Sequence, residues 1–302
     1  MKSLISLMMI IIIISNFSCN QKSIPAQSVN HETTDKYGNK MLLGSCSRKE
    51  LQKKPYADWF IKNYSDYKID TQTCELLKEK LHGKTFEIFM GTWCGDSRRE
   101  VPRMFRIMDY CGIRSSQIKL IMLNNQDSFY KQSPQHEEKG MNIHRVPDLI
   151  VFDDKIEKGR IIESPIISLE KDLLSIANNG KYIPNYEAVA KLIDFLNDHT
   201  IPESDTEIEL IANKIKPFSK SSNELNTFGY VKMASHEMQI ARTVFKINCV
   251  LYPDQANVFD SMGDFNIRDN DIVSAKENYQ KALKLAPSNE ETKKKLMRLQ
   301  NN

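Results

Sequence analysis

Residues 84–102 read KTFEIFMGTWCGDSRREVP, and this stretch decides the fold. Lys84–Met90 is a short, apolar-rich run, which predicts a buried strand. Beyond Cys94 the apolar residues fall at Val101, Met104, Phe105 and Met108, and Cys111-Gly112 closes that helical spacing. A strand therefore turns directly into a helix across Trp93-Cys94-Gly95. At the start of a helix, free backbone N–H groups and the helix dipole favour an anion. The thiolate is the nucleophilic form of cysteine, so Cys94 is the candidate nucleophile. Trp93 shields one side of it. Ser97, one helical turn on, is placed to donate a hydrogen bond to the sulfur. Asp96 opposes a thiolate, while Arg98 and Arg99 offset it, and the net sign stays open.

Outward from this stretch, IKLIMLN at 118–124 predicts a second strand and DLIVFDD at 148–154 a third. GRIIES at 159–164 returns as a fourth after a turn begun by Asp153 and Asp154. SPQHEEKG at 133–140 reads as a short helix, with Ser133 as cap and Pro134 in the first turn. Strand–helix–strand gives a parallel pair, and the hairpin adds an antiparallel pair, so a central mixed sheet is expected. Helices are expected at 71–81, 168–178 and 186–197. Cys74, Leu77 and Leu81 share one face of the first, so Cys74 reads as a core residue. The aromatic-rich segment 48–67, with Trp59, Phe60, Tyr64 and Tyr67, reads as an extension packed on the core. His136 and His144 read as surface or loop histidines, and Asp148 as a strand-end carboxylate or a residue lining the substrate groove.

A polar segment with Pro202 then separates a second region that repeats itself. Gly229 and Gly263 are 34 residues apart, as are Ala241 and Ala275, Phe245 and Tyr279, and Pro253 and Pro287. This period marks helix-turn-helix repeats whose small residues let paired helices approach. The pattern resembles the tetratricopeptide repeat over about 80 residues, with Lys232 and Asn266 at a position that is usually aromatic. Helices near 207–216 and at 290–300 are expected to cap the pair. Cys249 reads as packed in this core.

Trp93-Cys94-Gly95 after a strand, Pro102 eight residues past the cysteine, and Val146-Pro147 before the third strand resemble the thioredoxin superfamily over residues 70–180. The resemblance implies a cis Pro147 facing the sulfur, and a Val146 backbone that pairs with a bound peptide. Ser97 stands where the family has its second cysteine, and Ile88 where it has a buried acid. Cys111 lies 17 residues down the same helix, about 25 Å away at 1.5 Å per residue, too far for a disulfide. Cys46, in a loose N-terminal segment, stays open as a partner. A lone thiolate can still attack a disulfide, with an outside or substrate thiol completing the exchange.

The N-terminus, MKSLISLMMIIIIISNFSC, has one Lys, an apolar run too short to span a bilayer, and Cys19 after Ser18. It resembles a bacterial lipoprotein signal with Cys19 as the lipidated residue; an ordinary cleaved signal is the alternative. The net charge of +3 over 302 residues gives no nucleic-acid field. Without Cys19, five cysteines remain, an odd number that cannot pair off within one chain.

The expected organisation is a signal over 1–19, a tether over 20–45, a thioredoxin-like α/β domain over 46–198, a linker over 199–206, and two tetratricopeptide repeats with capping helices over 207–302. Two functions fit. One is an envelope thiol–disulfide oxidoreductase or isomerase that exchanges with protein or peptide thiols and disulfides. Cys94 and Ser97 would carry its chemistry; Trp93, Gly95, Asp96, Val146 and Pro147 would line the substrate site. The repeats would recruit a protein partner and the lipid would hold the membrane. The other is a scaffold whose two regions bind peptides or proteins without chemistry. Neither requires a cofactor or a metal.

Overall fold

The computed structural model describes residues 30–202 and 204–300. Cys19, the signal and the start of the tether lie outside them. Among the described residues, six strands form one mixed sheet: β1 (His31–Thr34), β2 (Lys40–Cys46), β3 (Thr85–Met90), β4 (Ile118–Met122), β5 (Asp148–Asp153) and β6 (Ile156–Ile162), in spatial order β1-β2-β4-β3-β5-β6. β3 and β4 are parallel, and every other neighbouring pair is antiparallel. The β3–β4 crossover runs through helix α4 (Gly95–Tyr110).

Strand alternation separates two packed faces. Phe86, Ile88, Met90, Leu120, Met122, Leu149 and Val151 point to one face. There they pack with α2 (Ala57–Asp66), α3 (Thr71–Lys80), α4 and α5 (Leu169–Ala177), following the short α1 (Arg48–Leu51). Phe60, Cys74 and Leu77 are buried in this layer, so the aromatic segment is core as expected. Phe89, Ile121, Leu123 and Ile150 point to the other face, where loop residues Ile143 and Val146 cover them instead of a helix.

The tether expected over 20–45 ends early: residues 31–46 form β1 and β2. Met41 and Leu42, adjacent in β2, are both fully buried. The helix expected at 133–140 is absent. His136 takes a left-handed φ of 55° and Gly140 one of 79°, and Ser133 bonds instead to the carboxylates of Glu137 and Glu138. Such side-chain bonding offers the backbone a turn in place of a helix. The fourth strand begins at Ile156, because Asp154 and Lys155 both adopt positive φ and close a two-residue hairpin loop.

The C-terminal region is helical: α6 (Glu187–Asp198), α7 (Asp205–Ile215), α8 (Ser222–Ala234), α9 (Met238–Leu251), α10 (Ala256–Arg268), α11 (Ile272–Leu285) and α12 (Glu290–Gln300). The 34-residue correspondences are one contact made twice. A Cβ on Gly229 would lie 2.7 Å from the Phe245 ring, and one on Gly263 would lie 2.4 Å from the Tyr279 ring. The boundary differs from the expected linker at 199–206. Helix α6 lies before that linker, yet Ala188, Val189 and Leu192 share a core with Ile208, Ile211, Leu225 and Phe228. Its apolar stripe matches the helices that follow, so packing divides the chain between α5 and α6.

Candidate functional site

The β3–α4 turn is fastened from three sides. Gly91 is required there: a Cβ on it would lie 2.4 Å from the Trp93 ring. Trp93 Nε1 donates to the Leu123 carbonyl at the end of β4, 2.7 Å away. The Leu42 N–H of β2 donates to Thr92 Oγ1, and Arg98 Nε of α4 donates to the Thr92 carbonyl. With the turn held this way, Cys94 becomes the N-cap residue of α4 in an extended conformation, half-buried.

Its sulfur meets the loop before β5. The Cys94 thiol donates to the Val146 carbonyl at 3.3 Å, and the Val146–Pro147 peptide is cis. Only the protonated thiol can make that bond. A thiolate would face a carbonyl oxygen with no hydrogen between them, so ionisation releases the sulfur from the loop. Ser97 does not hold the sulfur as expected. Its hydroxyl is fully buried and accepts the Gly91 N–H at 3.3 Å, bracing the turn from beneath. Gly95 is exposed and Asp96 half-buried, and Asp96 pairs with Arg99 at 2.8 Å.

Further groups line the same place, brought by segments far apart in sequence. Lys131 is buried, and its Nζ donates to the His144 carbonyl at 2.7 Å. Burial, and then Arg145, push its pKa down to about 7, while the charges of Cys94 and Glu163 pull the other way. Arg145 reaches Glu163 at 3.5 Å and the Asn223 carbonyl of α8 at 2.8 Å. Burial raises Glu163 against the pull of Arg145, and Tyr186 donates to its carboxylate. Burial also raises Tyr130, whose neighbours include Cys94 and Arg145.

His144 is a loop histidine, as one of the two readings had it, but it is buried and not at the surface. It is enclosed edge-on by Tyr186 and Phe228 at ring distances of 5.6 and 5.8 Å, and burial pushes its pKa down to about 3. Asp148, next to Pro147, is fully buried and ion-paired with Arg160 at 3.2 Å; desolvation raises it to about 7. It is a core carboxyl and does not line an open groove.

Trp93, Cys94, Gly95, Asp96, Val146 and Pro147 are thus brought together, with Ser97 directly below. The other described cysteines are elsewhere, and all five are free thiols. Cys46 pairs with Leu120, which pairs with Ile88, so it sits two strands away and well short of the turn. Cys74 and Cys111 meet under the far end of α4, where the Cys111 thiol lies 3.7 Å from the Cys74 carbonyl. Burial raises Cys46 and Cys249 to about 12. A cavity of about 800 Å³ lies at that far end too, between Cys46, Arg48, Phe105 and Asp109. It is remote from Cys94, and the sulfur's surroundings, not the cavity's size, identify the site. Among the described residues no group of three or more side chains could hold a metal ion, and no helix is long and apolar enough to cross a membrane.

Lys131, Arg145, Glu163 and Tyr130 were not found from the sequence. Lys131 and Tyr130 lie in a loop without periodicity, and Glu163 at a strand end, so no local pattern marks them. The chain matches no family model, no curated protein and no solved structure, and its function must be read from this geometry.

Proposed function

We propose that the chain is an exported thioredoxin-like thiol–disulfide exchange protein that works through Cys94 alone. One observation carries the reading: a half-exposed thiol at the first turn of a 16-residue helix, 3.3 Å from the carbonyl that precedes a cis proline. Leaving Val146, the Cys94 thiolate attacks one sulfur of a protein or peptide disulfide. A new S–S bond forms to Cys94, the old one breaks, and the second substrate sulfur departs as a thiolate. A thiol of the substrate or of a separate reductant then attacks the mixed disulfide and returns Cys94 to the thiolate. The chain's other described cysteines take no part, since none lies beside the turn.

The tetratricopeptide-like helices recruit a protein partner in this reading, and a lipid on Cys19 holds the molecule at a membrane of the cell envelope. The signal-like residues 1–19 support the latter. The reading is tested by comparing Cys94→Ser with wild type on non-reducing gels after acid trapping in cells. Wild type is expected to carry disulfide-linked adducts that the variant lacks. Identical adduct patterns would leave only a binding role.

A further inference from the structure

Lys131 is buried, 4% exposed; its Nζ donates to the neutral His144 carbonyl and lies 4.8 Å from the centre of the Tyr130 ring. Its backbone is held by reciprocal bonds with the strand exit: the Lys131 N–H donates to the Asn124 carbonyl, and the Asn124 N–H donates to the Gln132 carbonyl. The side chain reaches from there to His144, two residues ahead of Val146. Cation and thiol therefore attach to the same loop, Lys131 at the His144 carbonyl and Cys94 at the Val146 carbonyl.

Other charged and titratable groups also face this place; Arg98, on α4, donates its Nε to the Thr92 carbonyl and its backbone N–H to the Cys94 carbonyl. Arg145, on the loop itself, engages Glu163 and the Asn223 carbonyl of α8. Glu163, past β6, is held by Arg145 and Tyr186. Asp96, on α4, pairs with Arg99. Tyr130, beside Lys131 in sequence, is held neutral by burial. Burying an ammonium is costly, and an anion beside it recovers more of that cost than a carbonyl and a ring do. The anion that can form here without breaking another ion pair is the Cys94 thiolate.

We propose that Lys131 supplies the counter-charge to the Cys94 thiolate, making it the positioning residue for the exchange step proposed above, on which this inference rests. When Cys94 loses its proton the sulfur leaves the Val146 carbonyl and pairs with the ammonium. When the proton returns, the thiol swings back to Val146 and Lys131 stays on His144.

The test measures the rate of Cys94 alkylation by iodoacetamide against pH in wild type, Lys131→Met and Lys131→Arg. Lys131→Met is expected to move the pH profile upward and to slow alkylation at pH 7 about tenfold, while Lys131→Arg keeps the wild-type profile. A folded Lys131→Met protein with an unchanged profile would overturn the proposal. A second measurement keeps the test open should Lys131→Met not fold. In lysine-labelled protein, the ¹³Cε resonance of Lys131, assigned by its loss in Lys131→Arg, is titrated in wild type and Cys94→Ser. Its midpoint is expected to fall in Cys94→Ser, and equal midpoints would reject the pairing. Neither readout needs a disulfide substrate. Failure to trap adducts in cells would therefore remove the exchange function while leaving the ion pair measurable.

Discussion

His144 lies with its ring edge-on to Tyr186 and Phe228, and its Nε2 has no partner among the described residues. Burial lowers its pKa from 6.5 to about 3, so it stays neutral in the folded protein where the unfolded chain takes a proton. A depressed folded value means that the contribution to stability is complete above pH 6.5 and is lost as pH falls towards 3. In that window the slope is ~1.4 kcal/mol per pH unit. Asp148 acts with the opposite sign: its raised value adds stability at low pH that is lost as pH rises through about 7. Comparing wild type with His144→Asn isolates the histidine. The stability difference between wild type and variant in urea titrations is expected to shift against wild type by ~1.4 kcal/mol for each unit of pH lowered between 6.5 and 4, and a difference that does not change with pH would reject the assignment. At this scale the sequence revealed what is local. Trp93 and Cys94 stand out because a strand, a turn and a helix meet within a few residues. Ser97 was placed at the right turn of the helix but given the wrong partner, since the direction of its hydroxyl depends on how closely Gly91 approaches. Lys131, Arg145 and Glu163 meet Cys94 only through tertiary folding.

Among the elements, α4 shows how sequence punctuation becomes geometry. It ends at Tyr110 with Cys111 as its C-cap, and Gly112 follows with φ +74°. The Ile113 N–H donates to Met108 and the Gly112 N–H to Asp109, which satisfies the last carbonyls of the helix. A side chain is strained in that left-handed conformation, although a Cβ there would meet open space. Gly112→Ala is expected to cost about 1–2 kcal/mol in chemical denaturation with no change in Cys94 alkylation. A change smaller than 0.3 kcal/mol would show that the turn relaxes. The strands around Cys94 were legible from their apolar runs, as were the long helices. Residues 133–140 were not, because serine and glutamate carry the same letters in a helical turn as in the side-chain network that replaces one. β1 and β2 were missed for a related reason: β1 is four polar residues, mostly exposed, and the polar stretch around both strands resembles a tether.

For the whole molecule, the joint between sheet and helices passes next to the sulfur. Phe228 of α8 packs on His144, Lys232 reaches Asn142 at 3.4 Å, and Arg145 holds the Asn223 carbonyl. Phe228→Ala would remove a fully buried ring and is expected to cost about 3–5 kcal/mol. It should also speed amide exchange of residues 142–147, measured by mass spectrometry, while β3 and β4 keep their protection. Unchanged exchange in that loop would show that it stands without α8. The 34-residue repeat was legible because glycine and ring recur at a fixed distance. The division between the two regions was not, since α6 looks alike whichever core receives it. Severing the chain at the polar stretch near residue 200 would consequently not yield two natural halves. The front piece would keep α6 bereft of the neighbours that cover it, and the rim beside residue 94 would lie bare on the side where Phe228 had stood. Measurements on such a fragment would describe a wounded surface, not that of the intact polypeptide.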